Sequence, residues 1–213
     1  MLKHVVAALF IIVTGPALAQ IQVDITPAPL DPELIAPERV TPAAAMPMDQ
    51  FAVDRASLRD PARQRALMAA IADWLTREFN LPRASELPKI AFVSSSELTR
   101  KRYRVIRADV TRATYDMPAP SAIARTVAIY DDAEKTIYLT ENWRGDSAAD
   151  VSVVVHEMVH HLQNVAHMRF ECARAREATA YEAQERWLQQ HGGSLRADFD
   201  IDPFTVLVHA MCL

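Results

Sequence analysis

The sequence predicts a helix-rich α+β fold, on three observations. Residues 61–79 carry an apolar stripe at helical spacing. Residues 125–140 hold two β-rich runs joined by a polar turn. Residues 151–167 form a strongly apolar helical stretch. The 213 residues, half of them hydrophobic, suffice for one well-packed domain rather than two. The net charge of −4, with acids and bases interspersed, argues against a nucleic-acid partner.

The N-terminus reads as a secretory signal peptide over residues 1–19. Lys3 and His4 give a short positive start, Val5 to Val13 an apolar run too short to span a bilayer, and Ala17-Leu18-Ala19 a cleavage site. A periplasmic or secreted location follows, with no stable membrane insertion after cleavage. No Cys follows the cleavage site, so a bacterial-type lipid anchor is not expected. Residues 20–48 hold Pro27, Pro29, Pro32, Pro37, Pro42 and Pro47. That spacing forbids helix and sheet and marks a disordered Pro-rich tether, with a removable pro-segment as the second reading. Residues 49–213 are left as the folded domain.

The first helix is expected from Pro61 to Phe79. Asp60 offers the N-cap, Pro61 suits the first helical position, and Asn80-Leu81-Pro82 ends it. Lys89 to Val93 reads as a strand. Ser94 to Glu97 then opens a helix running to about Arg107, its Arg100, Lys101, Arg102, Arg104 and Arg107 read as a solvated face. Thr111 to Ser121 is expected to be a loop. Arg125 to Tyr130 and Thr136 to Thr140 form a hairpin.

The helix that follows carries the chemistry. Ser147 and Asp150 resemble a capping-box start, and Val151, Val154, Val155, Met158, Val159, Leu162 and Val165 leave it little solvated surface. Within it, His156-Glu157-Met158-Val159-His160 matches H-E-x-x-H. Residues four apart lie on one helix face, so the two histidines can aim their nitrogens at one zinc ion. Glu157 follows the first ligand and is placed to act as general base on the attacking water. Such ionisable groups are costly in an apolar helix unless paired or metal-bound.

Zinc needs at least one further protein ligand and an open position. A second long helix is expected from Glu171 to His191, ended by Gly192-Gly193. It offers Glu177 and Glu182, and His167 lies between the two helices. A final short helix over Asp202 to Cys212 contains His209, which stands apart from the motif. His161 follows a ligand and should face elsewhere. Cys172 and Cys212 make an even pair in an exported chain, which suggests a disulfide.

The region from Ala124 to Gln190 resembles the gluzincin group of zinc metallopeptidases. There H-E-x-x-H sits on one helix, and a glutamate opening an E-x-x-x-D or E-x-x-A-D pattern completes the site from the next. Glu177-Ala178-Thr179-Ala180-Tyr181 matches at Glu177 and Ala180, and departs where Tyr181 replaces the acid. The resemblance implies a zincin-like fold, a small sheet packed on the metal helix and a second ligand-bearing helix. It implies zinc held by His156, His160 and Glu177, Glu157 as catalytic base, and Tyr181 as a catalytic oxyanion group or a support for a ligand histidine. It implies an edge strand, at Thr136 to Thr140, that binds the backbone of a peptide or protein substrate. The function expected is zinc-dependent peptide hydrolysis outside the cytoplasm. The alternative is a non-catalytic, zinc-stabilised binding module of the cell envelope.

Overall fold

The structure, a computed structural model, describes residues 47–48, 51, 53–110 and 127–212. The expected signal peptide, nearly all of the tether, the loop at 111–121 and the first residues of the expected strand at 125 lie outside them. The fold is α+β and helix-rich, around a small mixed sheet.

Helix α1 (Pro61–Phe79) has the expected bounds. Asp60 accepts the N–H of Ala62, and Asn80 closes the helix in the left-handed region at φ 50°. Its stripe of Leu67, Met68, Ile71, Trp74 and Leu75 is buried. Strand β1 (Lys89–Val93) leads into α2 (Ser95–Val110), where the Ser94 hydroxyl accepts the N–H of Glu97. Strands β2 (Ala128–Asp131) and β3 (Thr136–Thr140) form the hairpin. β1 pairs with β3 in parallel and β2 pairs with it antiparallel, so the order is β1-β3-β2.

This order corrects one expectation. Thr136 to Thr140 is not an edge strand, because β3 is central and paired on both sides. All residues of β3 and of its neighbour β2 are buried, so burial does not tell the two apart and the pairing decides which is central. Among the described residues, the outer sides of β1 and β2 are bonded by helix side chains. Gln64 of α1 accepts the Ile90 N–H and donates to the Ile90 carbonyl, at 3.0 Å each.

Helix α3 (Ala148–Val165) carries the H-E-x-x-H motif and packs on α1, on the sheet and most extensively on α4 (Glu177–Gln190). The expected helix from Glu171 is shorter. Residues 171–176 make a bend and a 3₁₀ turn at Ala173–Arg176 before the α-helix starts at Glu177. Two short helices follow, α5 (Leu195–Phe199) and α6 (Pro203–Ala210). The first of these was not expected, because five residues carry too little periodicity to read.

The core lies between α1, α3, α4 and the sheet. Trp187 of α4 sits edge-on to both Phe51, at 4.6 Å, and Trp74, at 5.3 Å. Gly145 adopts φ +79° just before α3. A Cβ there would lie 2.3 Å from the Val53 carbonyl, where the N-terminal segment crosses, and would also strike the Trp143 ring.

Cys172 and Cys212 form a disulfide that ties α6 to the turn preceding α4. α6 contributes no buried residue, and Phe204, Leu207, Val208 and Met211 are exposed. The covalent tie adds to its packing on α4 and on the 3₁₀ turn. Replacing both cysteines by serine is expected to lower unfolding stability by about 3–4 kcal/mol on the chain-entropy model for this loop. Denaturant unfolding of the two proteins checks this, and an unchanged midpoint would mean that packing alone retains α6.

Candidate metal centre

His156 and His160 stand on the same face of α3, with their side chains 13% and 11% exposed. The first residue of α4, Glu177, faces them. Its Oε2 lies 3.3 Å from the His156 Nε2 and 3.4 Å from the His160 Nε2. Ligand atoms of all three residues fall within 4.8 Å of one another. Two ligands bound tetrahedrally to one zinc would lie about 3.3–3.4 Å apart. The two Glu177 distances match that separation, and the three residues form a group that could hold a metal ion.

Two glutamines fix the chemistry of the imidazoles. Gln163 donates from Nε2 to the Arg176 carbonyl at 3.0 Å, so its Oε1 faces the His160 Nδ1 at 3.2 Å. The Ser152 hydroxyl donates to the Ala149 carbonyl and accepts from the Gln184 Nε2. The Gln184 Oε1 is thereby turned to the His156 Nδ1 at 3.1 Å. Each acceptor holds a proton on Nδ1. Each neutral imidazole then presents the Nε2 lone pair a metal needs. Both glutamines are buried.

Without a metal, the three groups pair with one another. Burial works to lower the His160 pKa, but the charge and hydrogen bond of Glu177 outweigh it and hold it above its ordinary value. Burial works to raise the Glu177 pKa. The charge of His160 and the bonds from both histidines nevertheless hold it well below the carboxylate range. A metal bound here would have to displace the His160 proton.

Glu157 turns the other way from the ligands' partners. Its Oε2 accepts the Tyr130 N–H at 2.8 Å, on the outer edge of β2. The general base expected from the motif is thus anchored by one oxygen to the strand beside the site.

A family model described as a domain of unknown function (DUF6647) matches residues 60–213. The chain belongs to the DUF6647 family. No curated protein and no solved structure matches it. The DUF6647 match takes in both ligand-bearing helices, the sheet and the disulfide.

The remaining candidates of this DUF6647 domain separate clearly. Glu182 is exposed on α4, and His167 is exposed beyond the end of α3 in the left-handed region. Neither joins the cluster. His161 is buried against the sheet, bonded to the Tyr130 hydroxyl and to the Glu86 carbonyl. Burial holds its pKa down.

Tyr181 stands edge-on to the His156 ring at 4.8 Å. Its hydroxyl lies 2.9 Å from the His209 Nδ1 rather than on a ligand nitrogen. Gln184 occupies the position on His156 that the sequence offered to Tyr181. His209, which stood apart in the sequence, is brought beside the centre by α6.

Gln163 and Gln184 escaped the sequence reading. A signal for Gln184 exists. It lies seven residues after Glu177 on the helix face that also carries Ala180 and Tyr181. A glutamine on an inward face needs partners. Replacing Gln184 by Ala is expected to weaken zinc binding about 10–100-fold, and Gln184→Glu to weaken it less, since a carboxylate still accepts from Nδ1. Competition with a chromophoric chelator measures both. Equal affinity in Gln184→Ala would remove the glutamine from the support of the metal.

Proposed function

We propose that this chain is an exported zinc metallopeptidase of the gluzincin type, with His156, His160 and Glu177 as metal ligands and Glu157 as general base. The observation that carries the reading is the double amide lock on the two imidazoles. It turns both Nε2 lone pairs toward the Glu177 Oε2. A buried ion pair would need only one of them.

When bound, zinc supplies Lewis acidity and lowers the pKa of a water. The chain's own groups do the rest. Glu157 holds Oε2 on the Tyr130 N–H and leaves Oε1 to take the proton of the attacking water. The same oxygen returns that proton to the leaving amine. Tyr181 offers its hydroxyl on the His156 side, held in place by His209. Backbone pairing with a peptide belongs to β2, the edge strand beside Glu157, rather than to β3.

The test is a digest of a pool of denatured proteins by the zinc-loaded mature chain, read by mass spectrometry. New termini that vanish on chelation are expected. Zinc-loaded protein that leaves the whole pool intact would sink the peptidase reading and keep the metal centre.

A further inference from the structure

Helix α3 carries two pairs of side chains at four-residue spacing. His156 and His160 face the metal cluster. Glu157 and His161, each one residue further round, make the second pair and share the neighbouring face. Both members of this second pair end on one residue of β2. The Glu157 Oε2 accepts the Tyr130 N–H at 2.8 Å, and the His161 Nδ1 lies 3.0 Å from the Tyr130 hydroxyl. Tyr130 is thus gripped by α3 at its backbone and at the tip of its ring.

The His161 end of the grip lies in the interior. Tyr130 and His161 are both buried, with their rings edge-on at 5.4 Å. The His161 Nε2 donates to the Glu86 carbonyl at 2.8 Å, so the imidazole cannot turn without breaking a second bond. The Tyr130 hydroxyl is also 3.0 Å from the Asp132 Oδ1. That contact stays inside the hairpin, whereas the His161 contact ties the ring to α3. β2 is only four residues long and pairs within the sheet on one side. The Tyr130 N–H faces the other side, where β3 does not hold it.

We propose that His161 is a positioning residue for the general base. By holding the Tyr130 ring it keeps the Tyr130 N–H on the Glu157 Oε2, and so keeps Oε1 free for the attacking water. The role of base belongs to the peptidase reading, on which this proposal rests, but the hold on the carboxylate is measurable without a substrate.

The test has two arms, both on the zinc-loaded mature chain and its variants His161→Phe and Tyr130→Phe. In the first, amide exchange is followed by NMR. The N–H of position 130 should exchange at least about tenfold faster in both variants, while the β2 N–H groups that pair with β3 should not change. In the second, single-turnover cleavage is measured on a fluorogenic peptide built from a sequence cut in the protein digest. Both variants should slow it by about 10–100-fold. In a Glu157→Gln background the same changes should cost nothing further, because His161 acts only through Glu157. His161→Asn returns a polar atom to the place of Nδ1 and should recover part of both effects. Zinc content should not move, which separates a lost grip from a misfolded chain. Tyr130→Phe removes a single hydroxyl and carries the test alone if His161→Phe does not fold. Unchanged exchange at position 130 would overturn the proposal, as would losses that multiply with that of Glu157→Gln. A native chain that cuts nothing would overturn the base together with the peptidase reading. Faster exchange at position 130 in the variants would then still keep His161 as the residue that fixes Glu157.

Discussion

Replacing Glu177 by Ala is expected to strip the metal from the purified protein. The native chain should carry about one zinc, and the variant should lose affinity by more than the roughly 100-fold that loss of a supporting partner costs. The reason is geometric. Among the described residues Glu177 supplies the only carboxylate of the cluster, and its Oε2 is the atom on which both Nε2 atoms converge. Two histidines of one helix turn are left without it.

The metal-free proteins provide the control. The Glu177 pKa is held below its ordinary 4.5, so its contribution to stability is present above that value and is lost as pH falls through the folded pKa. The His160 pKa is held above 6.5, so its contribution is present below 6.5 and is lost as pH rises through the folded pKa. The metal-free native chain should therefore exceed metal-free Glu177→Ala in stability most clearly between pH 4.5 and 6.5. Zinc retained in full by Glu177→Ala would reject the two-histidine, one-glutamate centre.

Glu157→Gln is expected to keep the metal and lose hydrolysis by about 10²–10⁴-fold, the usual worth of a positioned base. The glutamine carbonyl can still accept the Tyr130 N–H, so the local structure should hold. Its amide nitrogen then stands where the free carboxylate oxygen stood and cannot take a proton. Single-turnover rates and zinc content, measured on the same preparation, decide the matter. Full activity would remove Glu157 from proton transfer. Loss of zinc together with activity would place Glu157 in the metal's support instead.

Much of the scaffold was legible because it is locally encoded. Asp60-Pro61 and Asn80 bracket α1 by capping chemistry that needs no distant partner. Ser147 starts α3 by the same means, accepting the Asp150 N–H. The four-residue spacing of His156 and His160 determines a shared helix face wherever the helix lies. Glu177 was reachable as a candidate because Glu177 and Ala180 match the E-x-x-A-D pattern of the family the region resembles.

The rest required the chain to be folded. Pairing order in a sheet is a nonlocal outcome, and the hairpin gave no hint that β1 would add in parallel on the far side of β3. The burial of Lys101 depends on what packs against α2, where the charged composition had read as a solvated face. Gln163 and Gln184 have no motif, and their value lies in bonds to the Arg176 carbonyl and to Ser152. His209 is 49 positions beyond His160. It comes to stand against Tyr181 through the packing of α6 on α4, the Cys172–Cys212 link and the bond to the Tyr181 hydroxyl.

The sequence by itself determined helices α1 and α3, their caps and two of the three convergent side chains, since these follow from spacing along one backbone. Only the tertiary structure decided which carboxylate meets them and which glutamines lock their tautomers. It also decided which strand borders the site, because each of those depends on a packing of distant segments that no local pattern encodes.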